Sequence, residues 1–166
     1  MTRPNLSGLT PELVRELLNK GLRVTEIARQ FGVTVGYVSQ LKAKIGYRTP
    51  KQEAMDKMPW KKLPREQQRN RIYQNLRLHL FYVAVGRNGV TASQVDHLLG
   101  FYKRVEDYVV EYDPEIPSTP NNKGGGFQYV PREERDGDLI LRRNKHTRIE
   151  DGDLVYWRIP ARLPRG

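Results

Sequence analysis

The chain has 166 residues, 37% of them hydrophobic and 29% charged, with a formal net charge of +10 and a pI near 9.9. That length allows one or two small domains, and the basic excess favours a polyanionic partner over an acidic-substrate or neutral-ligand role. The lack of cysteine excludes disulfides, thiolate metal sites and a cysteine nucleophile, and no run approaches the roughly 18 apolar residues of a membrane helix, so a soluble cytoplasmic protein without a membrane partner is expected.

The charge is unevenly spread. Residues 1–72 carry 15 Lys and Arg against 6 Asp and Glu, whereas residues 73–166 carry 14 against 13. Phosphate contact should therefore be concentrated in the first half.

Residues 1–9 read as a flexible arm whose single charged side chain, Arg3, could enter a minor groove. Thr10 and Pro11 then open a helix as N-cap and first residue, and Leu13, Val14, Leu17 and Leu18 form one apolar stripe that ends at Gly21. Residues 24–44, VTEIARQFGVTVGYVSQLKAK, read as two short helices around a tight turn. Ile27 and Ala28 face inward on the first, Gly32 supplies the positive φ of the turn, and Thr34 caps the second, whose inward residues are Val38 and Leu41. The spacings resemble a helix-turn-helix, which places a three-helix DNA-binding domain at residues 10–46.

In that arrangement Thr34, Val35, Gly36, Ser39, Gln40 and Ala43 face a major groove. Gln40 has the donor–acceptor pair that matches adenine, Ser39 and Thr34 suit bases or phosphates, and Val35 suits a thymine methyl. Tyr37, Lys42 and Lys44 would serve phosphates. Gly36 costs about 1 kcal/mol relative to alanine inside a helix, which calls for a compensating role such as close approach to a DNA backbone.

Residues 47–65 read as a basic linker with prolines at 50, 59 and 64 and an extended Thr49–Pro50 step. Arg48, Lys51, Lys61, Lys62, Arg65 and Arg69 in and just beyond it are candidate phosphate or minor-groove contacts. Residues 66–166 then form a second domain. A helix from Arg65 to Val85 carries Ile72, Tyr73, Leu76, Leu80 and Val83, and a second, from a Thr91–Gln94 capping box as far as Tyr112, carries Val95, Leu98, Tyr102, Val105 and Val109. The two should pair antiparallel. Prolines 114, 117 and 120 and the run 121–126 suggest a mobile loop. Three β-like segments follow at 127–130, 139–142 and 154–159, the last two each preceded by a DGDL turn signal, and give a small C-terminal sheet with Tyr156 and Trp157 as anchors. The fold class expected is mainly α with that sheet.

No catalytic constellation is visible. His79, His97 and His146 lie in no metal-binding spacing, and no nucleophile elbow, Walker loop or dinucleotide fingerprint occurs. A binding protein with no cofactor, metal or small-molecule ligand is expected.

The stretch TEIARQFGVTVGYVSQLKAKIGYRTP, followed by the basic proline-punctuated segment and a helical second domain, resembles the immunity repressors of temperate actinobacteriophages, the family first known from mycobacteriophages. The resemblance implies a sequence-specific double-stranded DNA-binding repressor that maintains lysogeny and superinfection immunity at the nucleoid of a bacterial host. It also implies binding to asymmetric operators and dispersed stoperator sites as a monomer, with a second, stoperator-type domain adding contacts. An excisionase-like or architectural DNA-binding factor is the alternative, distinguished by strong bending.

Overall fold

The computed structural model describes residues 7–164; Arg3 of the expected arm lies outside them. The protein is mainly helical with a two-stranded antiparallel sheet, and it divides into unit 1 (Met1–Thr49) and unit 2 (Pro50–Gly166).

In unit 1 the helices are α1 (Pro11–Asn19), α2 (Val24–Phe31) and α3 (Val35–Lys44). Each boundary has a local chemical cause. Thr10 accepts from the Leu13 amide at 3.1 Å, Gly32 takes φ +63° after α2, and Thr34 accepts from the Tyr37 amide at 3.1 Å. Only glycine enters that left-handed region without a Cβ penalty. The apolar stripes of the three helices converge on Val14, Leu17, Ile27, Ala28, Val38 and Leu41. Leu9 is fully buried in the same cluster, so it belongs to the core and not to an arm.

Unit 2 begins with α4 (Pro50–Met55) and α5 (Arg65–Gln68). The expected linker at 47–65 is therefore corrected: from Pro50 the chain is helical, and Ala54, Met58 and Trp60 are buried in the core of unit 2. Proline opens α4 at the first helical position, where its missing N–H costs nothing, so the Thr49–Pro50 step starts a helix and does not prolong an extended segment. The helix expected from Arg65 to Val85 is broken into α5 and α6 (Arg71–Val85), because the Asn70 side chain caps α6 by accepting from the Ile72 amide at 2.8 Å. Ile72, Tyr73, Leu76, Leu80 and Phe81 face the core. α7 (Ala92–Asp107) starts at the reciprocal Thr91–Gln94 capping box.

The helix expected to reach Tyr112 stops at Asp107. Residues Tyr108–Tyr112 form β1, paired antiparallel with β2 (Phe127–Pro131) in the register Tyr108↔Pro131 to Tyr112↔Phe127. The sequence YVVEY is aromatic and β-branched, which suits a pleated surface better than a helix. Of the other β-like segments, residues 139–142 contribute a single bridge, Leu141 to Val110, beside β1, and residues 154–159 are largely a 3₁₀ turn with one bridge at Arg158. The sheet thus draws its second strand from the end of the expected helix.

The loop before β2 is packed in place. Asn70 donates to Asn122 Oδ1 at 2.8 Å and to the Gly125 carbonyl at 3.0 Å. A Cβ at Gly124 would run into the Glu66 carbonyl, and one at Gly125 into that of Ile116. Trp60, Tyr112 and Phe127 form an aromatic knot with ring centroids 4.8–5.2 Å apart. Trp157 is fully buried, with Tyr156 packed against the same core.

Candidate nucleic-acid interface

α3 is held by its inward residues. Val38 and Leu41 are buried among α1 and α2 residues, with Ala28 small enough to admit them. Positions 35, 36, 39, 40 and 43 then fall on the opposite side at helical spacing. Val35, Gly36, Ser39, Gln40, Ala43 and Lys44 are all exposed, as is the cap Thr34. Val35 retains 46% of its surface, an apolar residue left in water beside amide and hydroxyl groups.

Two members of the expected set are less free. Tyr37 is half-buried against the unit 1 core, which leaves it a packing role as well as a polar tip. Lys42 is half-buried, its ammonium 5.6 Å from the Tyr47 ring centroid. Both Lys42 and Lys44 lie in the last turn of α3, where a cation is favoured by the helix dipole. No carboxylate occurs anywhere from residue 27 to residue 52. The exposed side of α3 is therefore polar and electropositive. On the far side of the unit, Lys20 and Glu16 pair at 2.8 Å on α1, and Arg15 donates to the Ile45 carbonyl at 2.9 Å, tying α1 to the end of α3.

Arg48 is exposed at the end of unit 1, while Lys51, Lys61, Lys62, Arg65 and Arg69 belong to unit 2. Lys51 places its ammonium 5.2 Å from the Phe81 ring centroid, and Lys61 donates to the Asp56 carbonyl at 3.2 Å. Lys62, Arg65 and Arg69 are exposed. They are surface residues of a folded body and not beads on a linker. Among them Arg69 lines an open cleft of about 1000 Å³ together with Arg71, Arg104 and Lys123. Arg104 and Lys123 were missed by sequence reasoning because they are far apart in the chain; Gly100, in the middle of α7 and on the same cleft, was the available signal.

His79 is fully buried. Its Nε2 lies 2.7 Å from the Tyr156 carbonyl, which can only accept, so Nε2 carries the proton and Nδ1 accepts from the Tyr102 hydroxyl at 2.8 Å. His97 is exposed and His146 half-buried. Among the described residues no group of three or more His, Asp or Glu could hold a metal ion, and no helix is long and apolar enough to cross a membrane. The buried carboxylate of unit 2, Asp136, accepts two bonds from Arg142 at 3.0 and 2.7 Å, which hold its pKa below the usual range. Arg132 beside it donates to the carbonyls of Val105, Tyr108, Gly137 and Leu139. These groups sew the 132–142 turn to the α7–β1 junction and are consumed by the fold.

No protein-family model matches the chain. Over 158 residues, 92% of this chain and 86% of the relative, it is 35% identical to the repressor-like immunity protein of Mycobacterium phage L5. The chain belongs to the mycobacteriophage immunity-repressor family.

Proposed function

We propose that the protein is a sequence-specific double-stranded DNA-binding repressor that maintains lysogeny and superinfection immunity, and that it acts as one chain on asymmetric operator and stoperator sites in the cytoplasm of a bacterial host. The observation that carries this reading is the exposed side of α3, polar and carboxylate-free, on a helix fixed by Val38 and Leu41. With α2 and the Gly32 turn it has the form of a helix-turn-helix. The family membership supports the repressor role.

In this reading α3 lies in the major groove. Gln40 pairs with an adenine edge, Ser39 and Thr34 meet bases or phosphates, Val35 packs on a thymine methyl, and Gly36 lets the helix approach closely. Lys42, Lys44, Arg48 and the rim of Tyr37 meet phosphates, which position the reader without specifying sequence. A few base pairs read by one helix give too little discrimination against the non-specific background, so unit 2 adds contacts and lengthens the footprint. No reaction is catalysed, and no cofactor is required. Selection of bound sequences from a random duplex pool tests the proposal: an enriched, asymmetric consensus is expected, and the absence of enrichment, or a palindrome, would overturn it.

A further inference from the structure

Unit 2 contains 13 acidic residues against 14 basic ones over residues 73–166, which on its own predicts little affinity for a polyanion. The structure resolves that balance into two regions. Along the 132–158 stretch the cations are matched: Arg135 to Glu133, Arg142 to Asp136, Arg143 to Asp151, Arg148 to Glu150 and Arg158 to Asp138, all within 4 Å. The cleft between the start of α6, the middle of α7 and the 119–123 turn is different. It carries Arg69, Arg71, Arg104 and Lys123 against the single carboxylate of Asp96. Among the described residues Arg69, Arg71 and Lys123 make no ion pair, and the Arg104 guanidinium lies 5.0 Å from the Tyr129 ring centroid. The near-neutral sum therefore conceals a local excess of positive charge.

A second, independent feature lies on the same wall. Gly100 is exposed at the centre of α7, where glycine costs about 1 kcal/mol relative to alanine. A Cβ there would meet nothing within 4 Å. Packing inside the protein does not account for it. Gly36 on α3 is in the same position, its Cβ coming only within 3.9 Å of Thr34 Oγ1. Both helical glycines thus open space outward, beside cations.

The cleft's amides are largely committed to the fold. Asn70 holds Asn122 and Gly125, Asn122 donates to the Phe127 carbonyl at 2.8 Å, and Gln128 donates to Glu111 at 3.2 Å. What remains free is cationic chemistry, which matches phosphate oxygens and carries no base code.

We infer that this cleft seats the sugar–phosphate backbone of one DNA strand, with Arg71, Arg104 and Lys123 on phosphate oxygens and Gly100 letting the strand approach α7. The inference rests on the DNA-binding reading above and adds to it a sequence-independent contact made by unit 2.

The test uses the whole chain, the duplex recovered by selection and a random-sequence duplex of equal length, with affinities measured across a salt series. Arg71→Gln with Lys123→Gln should weaken both duplexes by a similar factor, roughly tenfold at low salt, and lower the salt slope by about 0.9 for each cation removed. Gly100→Ala should raise the melting temperature while weakening DNA binding, a pairing that a purely structural glycine would not produce. Unchanged affinity and salt slope in the double variant, or wild-type affinity in a stabilised Gly100→Ala, would overturn the cleft assignment while leaving the α3 reading in place. If the wild type binds neither duplex, it is the DNA-binding reading itself that fails.

Discussion

The Trp60 indole N–H donates to Thr147 Oγ1 at 3.2 Å, joining residues 87 positions apart. Trp157 makes the reciprocal reach, donating to the Lys57 carbonyl at 3.2 Å. Residues 50–60 are thus part of the unit 2 core. A fragment of residues 50–166 should unfold cooperatively, while one beginning at residue 66 should not fold, since it lacks Ala54, Met58 and Trp60. Trp60→Ala in the whole chain should cost about 3–5 kcal/mol. Denaturant unfolding checks this, and equal stability of the two fragments would contradict it.

The turn of unit 1 makes a separate prediction. Gly32→Ala forces a Cβ into the left-handed region and should cost about 1–2 kcal/mol, and Thr34→Ala, which leaves the Tyr37 amide uncapped, about 1 kcal/mol. Thermal unfolding of residues 1–49, which should fold alone, reads both. A Thr34→Ala variant with an unchanged midpoint would show that the cap bond contributes nothing.

Burial drives the pKa of His79 down from 6.5 to about 4, against the smaller opposing effect of its bond to the Tyr156 carbonyl. The unfolded chain therefore binds a proton near pH 6.5 that the native protein refuses until about pH 4. The stability associated with the neutral ring is complete above pH 6.5 and is lost as pH falls toward 4. Each unit of pKa difference is worth about 1.4 kcal/mol, so the loss is about 3 kcal/mol. Asp136, with its pKa depressed by Arg142, adds acid sensitivity at still lower pH. Unfolding free energies across pH 4–7 should fall in the wild type and follow a flatter course in His79→Gln, which starts from a lower stability. Parallel profiles in the two proteins would refute this role for His79.

Unit 1 was legible because its signals are local. Thr10–Pro11, Gly21, Gly32 and Thr34 each mark a boundary through their own backbone chemistry, and the inward residues of three short helices follow from their spacing. Unit 2 was read less well for reasons that are equally physical. Val105, Val109 and Tyr112 satisfy a helical period as well as Val110 and Tyr112 satisfy a strand, and only pairing with β2 decides between them. Prolines at 50, 59 and 64 looked like linker punctuation, though Pro50 starts a helix. Asn70 could have been read as an N-cap. The cleft could not, since Arg71, Arg104 and Lys123 meet only after folding, and the ion pairs that neutralise the rest of the surface leave no pattern in the chain.

Base reading by α3 has its own signature. Gln40 is exposed and does not support the core, so Gln40→Ala should leave the melting temperature within about 0.5 kcal/mol of wild type. It should nevertheless cost about 1–3 kcal/mol on the selected site and relax preference at one or two base pairs. Repeating the selection with the variant shows it directly; an unchanged consensus would mean that another residue reads those positions.

The central claim is that one chain discriminates one DNA sequence from others, and competition binding at physiological salt measures this most directly. The selected duplex is set against a scrambled duplex of the same composition, with the mass of the complex taken by light scattering. A preference of about 10³-fold or more, with one chain per duplex, is the predicted result. Equal affinity for the two duplexes, or two chains on the minimal site, would contradict the account.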